Sequence, residues 1–186
     1  MHDRFLSRDA RNLRPSAIRA FAKLINDPKV ISFAGGVPNP ETFPAEMIAA
    51  IASEVVLGKR NVSLQYGPTR GLPRLCGQIA ALSVARGVRC TADDVLTTTG
   101  SQQALDLIAH VLLDPGDVVL VELPTYIGGT ASFYARSAEL AGVAQDDGGI
   151  VIESLREVAT RLRGAGRRIK LLYTCLLYTS PSPRDA

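Results

Sequence analysis

Histidine is nearly missing from this chain, with two in 186 residues, and the three cysteines (Cys76, Cys90, Cys175) form no CxxC or other ligand-like spacing. A metal site is therefore not expected, and neither is a disulfide framework. Long apolar runs are also missing, so nothing approaches membrane-spanning length. Met1 to Asn12 is charged and lacks the apolar core of a secretory signal. Together these absences point to a reducing, cytoplasmic setting. The formal net charge is only +3, with arginines and lysines scattered along the chain, which gives no basis for a nucleic-acid surface.

What is present suits one domain or part of a larger one: 46% of residues are hydrophobic and 21% charged. The most telling stretch is Val95-Leu96-Thr97-Thr98-Thr99-Gly100-Ser101-Gln102-Gln103-Ala104-Leu105-Asp106-Leu107. A β-branched run, Leu96–Thr99, reads as a strand, Gly100 breaks it, and a helix is expected over Gln102–Leu113. The first amides of such a helix have no intrahelical acceptor and sit at the positive end of its dipole, which makes an anion site. Ser101 adds a hydroxyl donor, and Gln102 and Gln103 add amide donors, all suited to a phosphate. The alternative is an ordinary turn with Ser101 as N-cap.

Elsewhere the pattern alternates. Ser16–Ile25 has apolar residues at helical spacing and Val30–Phe33 reads as a short strand. A helix is expected from Pro44 to about Leu57 and another from Pro73 to Arg86, closed by Gly58 and Gly87. Thr91-Ala92-Asp93-Asp94 matches a capping box over a single helical turn. Asp114-Pro115-Gly116-Asp117 forms a tight turn before an apolar strand, Val118–Glu122. After Pro124-Thr125-Tyr126 a helix is expected to about Leu140, then an amphipathic helix over Ile152–Arg163 and a strand over Ile169–Thr174. Apolar strands alternating with helices imply an α/β fold, a three-layer α/β/α sandwich with a mainly parallel sheet.

The end of the chain breaks this pattern. Leu171-Leu172-Tyr173-Thr174 is followed by a second LLYT and a Ser/Pro run, and residues 175–185, CLLYTSPSPRD, match the translation of a transposase-type sequencing adapter. The expectation is that residues 175–186 are an artefact and that the natural reading frame runs on from Thr174.

Four segments taken together, FAGGVPNPETFP, LQYGPTRGLPRL, TTTGSQQALDL and VVLVELPTY, resemble the pyridoxal-phosphate-dependent aminotransferases of fold type I. The nearest group is the 2-aminoadipate and aromatic aminotransferases, whose catalytic domain is shared with MocR-type regulators. The resemblance covers about Pro15 to Thr174. It implies that Gly100, Ser101, Gln102 and Gln103 hold the phosphate of pyridoxal 5'-phosphate and that Tyr126 stacks on its pyridine ring, although a tyrosine capping a core is the alternative. Tyr66 matches a tyrosine that reaches the partner subunit's phosphate, implying a homodimer with a composite site; otherwise it is a turn residue on Pro68. Gly35 and Gly36 match the loop over the substrate, or a flexible turn. Ser16 and Arg19 match a helix that closes over the substrate, where Arg19 would fork onto an acidic side chain, or else is a solvated arginine.

On this reading residues 1–45 are an N-terminal arm and substrate-covering segment, and residues 46–174 the first part of the large cofactor-binding domain, which is incomplete. The partners implied are an amino acid and a 2-oxo acid. The family's Asn-Pro-Thr-Gly segment and its Schiff-base lysine have no counterpart here, since Lys23, Lys29, Lys59 and Lys170 all lie outside the serine-x-x-lysine context. The chain as written is expected to be inactive. The alternative is the cofactor-sensing effector domain of a MocR-type transcription regulator.

Overall fold

The computed structural model describes residues 3–12, 29–31 and 39–175. In chain order its helices are α1 (Arg8–Asn12), α2 (Ala45–Gly58), α3 (Arg60–Ser63), α4 (Pro73–Ala85), α5 (Gly100–Leu112), α6 (Ile127–Ala135) and α7 (Ile152–Gly164). The strands are β1 (Val118–Leu123), β2 (Glu139–Asp146), β3 (Gly149–Ile150) and β4 (Ile169–Tyr173). Two compact units emerge, one of Leu24–Thr98 and one of Met1–Lys23 with Thr99–Ala186.

The second of these units holds the sheet, in the order β3-β2-β1-β4. β1 is central and parallel to both neighbours, with Val118 opposite Glu139 on one side and Val121 opposite Tyr173 on the other. β3 folds back antiparallel on β2. The sequence Val-Val-Leu-Val is buried on both faces because helices cover both. Val119 and Val121 pack with Ala109 and Leu113 of the α5 region and Phe133 of α6, while Val118 and Leu120 pack with Val143 and with Val158 of α7. The crossover through α6 runs from β1 out to β2, and the one through α7 runs back past β1 to β4. Crossovers of one hand in opposite directions put their helices on opposite faces. The α/β/α layering with a mainly parallel sheet follows.

The turn into β1 is held by charge. The Asp114 amide donates to Asp117 Oδ2 at 2.9 Å, Arg168 Nε donates to Asp117 Oδ1, and Arg168 Nη2 reaches Asp114 at 3.0 Å. Burial pushes the Asp117 carboxyl up, but the Asp114 amide and the Arg168 guanidinium outweigh it and hold the group below the usual carboxylate range.

Three local expectations change. Leu96–Thr99 forms no strand: Thr97 makes one backbone bond, to the Arg70 carbonyl at 2.9 Å, and no ladder builds on it. β-branched residues favour a strand only where a full ladder forms beside them. The helix after Tyr126 stops at Ala135, well short of Leu140, because Ser137 adopts φ +57° and the chain turns into β2. α5 begins at Gly100, so Ser101 sits inside the first turn and Thr99 occupies the cap. The helix expected over Ser16–Ile25 lies outside the described residues, as does the second half of Val30–Phe33; Val30 and Ile31 are not in a strand.

In the Leu24–Thr98 unit, α2 buries no residue, and Ile48, Ile51, Val55 and Leu57 are all exposed. Among the described residues of this unit, only Cys76 and Ala80 of α4 are buried. The expected single turn is present over Ala92–Asp94, with the Thr91 amide and hydroxyl both donating to Asp94 at 2.8 Å. No described helix is long and apolar enough to cross a membrane.

Candidate functional site

The tight turn at Asp114–Asp117 reverses the chain between α5 and β1, which returns the Gly100 end of α5 to the carboxyl end of β1. Ligands collect at that end of open α/β sheets. No side chain caps α5 at Thr99, and its first turn carries no acidic residue. The first-turn amides and the helix dipole therefore present positive potential uncompensated by local carboxylates. Gly100 makes the entry to the helix with φ +77°, and a side chain there would meet nothing within 4 Å.

The side chains of the two glutamines bond within the protein and shape this turn. Gln103 Oε1 accepts from the Thr99 amide, folding the side chain back over the helix start. Gln102 Nε2 donates to Ser132 Oγ at 2.9 Å, and Ser132 is buried on α6. That bond ties the helix bearing Ser101 to the helix that begins directly after Tyr126. Tyr126 occupies the N-cap position of α6 and leaves 43% of its surface exposed, so a ring face is accessible. Next to it, Thr125 Oγ1 is buried without a hydrogen-bond partner. Gln145 Oε1 is likewise unpartnered, while its Nε2 donates to the Pro124 carbonyl at 2.9 Å.

Gly100, Ser101, Gln102, Gln103 and Tyr126 thus gather at one end of one sheet. Tyr66 belongs to the other unit, on the loop between α3 and α4, with its side chain almost wholly exposed at 99%. Ser16, Arg19, Gly35 and Gly36 lie outside the described residues. Among the described residues no group of three His, Cys, Asp or Glu side chains could hold a metal ion. Sequence reasoning missed Ser132 and Gly128. The available signal was the Gly128-Gly129 pair inside a helix, where glycine is costly unless something approaches closely.

A family model described as "Aminotransferase class I and II" matches residues 28–179. The chain belongs to this aminotransferase family. It is 37% identical to aromatic-amino-acid aminotransferase 1 of Thermococcus litoralis over 97% of its own length and 44% of that relative. It resembles the crystal structure of Pyrococcus horikoshii kynurenine aminotransferase, in complex with PMP, with TM-score 0.81 and 38% identity over 92% of this chain and 43% of that one. A second solved structure is the α-aminoadipate aminotransferase of Thermus thermophilus, complexed with N-(5'-phosphopyridoxyl)-L-leucine, with TM-score 0.76 and 36% identity over 93% of this chain and 41% of that one. The chain spans less than half the length of these family members.

Proposed function

We propose that this chain is part of a cytoplasmic, homodimeric, pyridoxal-phosphate-dependent aminotransferase that moves an amino group between an amino acid and a 2-oxo acid. The observation that carries this reading is the joining of an uncapped helix start to a half-exposed tyrosine by the Gln102–Ser132 hydrogen bond. The residues present fit a phosphorylated ring. At the start of α5 the Ser101 and Gln102 amides would donate to a phosphate, and the Ser101 hydroxyl would add a third donor. Tyr126 offers a flat face for the ring, and the orphaned Thr125 hydroxyl lies beside it. The cofactor, when bound, supplies the carbonyl and electron-withdrawing ring that amino transfer requires.

This chain's own part is binding and orientation. The phosphate donors would hold one end of the cofactor and Tyr126 would offer its face to the ring. By the resemblance, Tyr66 would extend to the partner subunit's phosphate in a dimer, and Ser16, Arg19, Gly35 and Gly36, outside the described residues, are assigned to the substrate. Residues 1–45 form the arm and residues 46–174 the start of the large domain, with residues 175–186 foreign to it. The described lysines are Lys29, Lys59 and Lys170, none of them in the site. The 186-residue chain should therefore bind pyridoxal phosphate reversibly and fail to transaminate. Equilibrium dialysis tests this: bound cofactor should wash out, and Tyr126→Ala should weaken binding about 3- to 10-fold. A stable yellow adduct that survives dialysis would overturn the missing-lysine reading. Sequencing the parent gene beyond Thr174 should recover Asn-Pro-Thr-Gly.

A further inference from the structure

We propose that one face of α6, formed by Gly128 and Ser132, positions both halves of the cofactor site, Gly128 seating the Tyr126 ring and Ser132 holding the phosphate turn through Gln102. The inference rests on the cofactor reading above and assigns roles to residues outside it. Gly128 and Ser132 are four apart, so they lie one above the other on the same helical face. A side chain at Gly128 would put its first carbon 2.6 Å from Tyr126 Cε1. The ring therefore occupies the volume that any larger residue would fill, and its plane is set by the backbone beneath it.

One turn further on, Ser132 is buried at 4% exposure and accepts from Gln102 Nε2 at 2.9 Å. Gln102 is the third residue of α5, so this bond fixes the azimuth of the first turn, where the donor amides are. A buried hydroxyl accepting from a side chain of a different helix is a costly arrangement to leave incomplete. A single rigid helix thus sets the spacing between ring platform and phosphate donors. The second glycine serves the core: a side chain at Gly129 would come within 2.6 Å of Tyr173 Cζ, whose ring packs edge-on against Phe133.

The experiment separates ring from phosphate. Pyridoxine 5'-phosphate and pyridoxine carry no aldehyde, so neither can attach to surface lysines, and they differ only in the phosphate. Dissociation constants of both are measured for the unsubstituted 186-residue chain, Gly128→Ala, Ser132→Ala and Gln102→Ala/Ser132→Ala, with thermal unfolding alongside. The unsubstituted chain should prefer the phosphorylated probe. Ser132→Ala should lose about 3- to 10-fold in that preference, from one misplaced set of donors, with pyridoxine affinity unchanged. Adding Gln102→Ala should cost little more, because the two side chains act as one unit. Gly128→Ala should weaken both probes alike and leave the preference intact. Equal losses for both probes in Ser132→Ala, or an unchanged preference, would overturn the positioning role. An unsubstituted chain with no preference for the phosphate would instead remove the cofactor reading itself.

Discussion

The described residues of the two compact units differ in how much they bury. In the sheet unit, five consecutive residues of β1 are buried and helices close both faces. In the Leu24–Thr98 unit, a helix of 14 residues, α2, buries none, and its isoleucines and valines are exposed. The lesson is that apolar sequence does not make a core unless the topology supplies a second layer. The part that supplies its own layers is also the part that assembles the phosphate turn and Tyr126. Site geometry and core packing are therefore inherited from the same strand.

The largest expected effect breaks this contrast directly. Phe133 is 1% exposed and packs between β1 and Tyr173, so Phe133→Ala should cost about 3–5 kcal/mol. Ile51, at 52% exposure on α2, should cost less than about 0.5 kcal/mol when changed to alanine. Urea unfolding of both variants checks the difference. Comparable losses would show that α2 is packed in solution and that the contrast between the units is false.

How much of this was legible follows the same division. β1, α7, β4 and the turn at Asp114–Asp117 could be read because each carries a local signal, a run of large apolar residues, a 3.6-residue period or a Pro-Gly pair. β2 could not. Its sequence, Glu-Leu-Ala-Gly-Val-Ala-Gln-Asp, contains one β-branched residue, and its strand identity comes from pairing along β1. Even its Gly142 is explained only by Leu123, whose Cγ would lie 2.9 Å from an added side-chain carbon. Leu96–Thr99 fails the other way, with strong strand propensity and no ladder. Within the site, the Ser101 turn and Tyr126 were legible from motif and resemblance. The use of the Gln102 side chain was not, because it depends on Ser132, some thirty residues away in sequence.

A middle-sized effect sharpens the contrast from the other unit. Gly71 has φ +107°, and a side chain there would place its first carbon 2.8 Å from Thr97 Cγ2. The adjoining Arg70 carbonyl accepts from the Thr97 amide at 2.9 Å and from the Cys76 thiol at 3.6 Å. Gly71→Ala therefore meets both backbone strain and a clash, and should destabilise the chain by about 2 kcal/mol. If Gly71→Ala unfolds with an unchanged urea midpoint, the Arg70 node is not part of the folded unit. The sparse burial of the described residues of the Leu24–Thr98 unit would then extend to this loop.

The smallest effect compares two aspartates, one in each unit. Asp117 is buried, and its carboxylate is held by the Asp114 amide and Arg168 against the penalty of burial. Asp94 is exposed, and its carboxylate is held down by the Thr91 amide and hydroxyl. Both groups have depressed folded values, so both contribute stability above the unfolded carboxylate range, about pH 4, and lose it as pH falls through the folded value. Asp117→Asn should cost about 1 kcal/mol at neutral pH, held down because the Arg168 partner is itself well exposed and rehydrates. The gap between variant and parent should close as pH falls below about 4 and through the folded value, since the parent's own carboxylate is then protonated. Asp94→Asn should show the same sign and window with a smaller gap, because water screens an exposed carboxylate. Stability measured by urea unfolding at several pH values decides it. A gap for Asp117→Asn that stays constant down to about pH 2 would mean that shape, and not charge, holds the turn into β1.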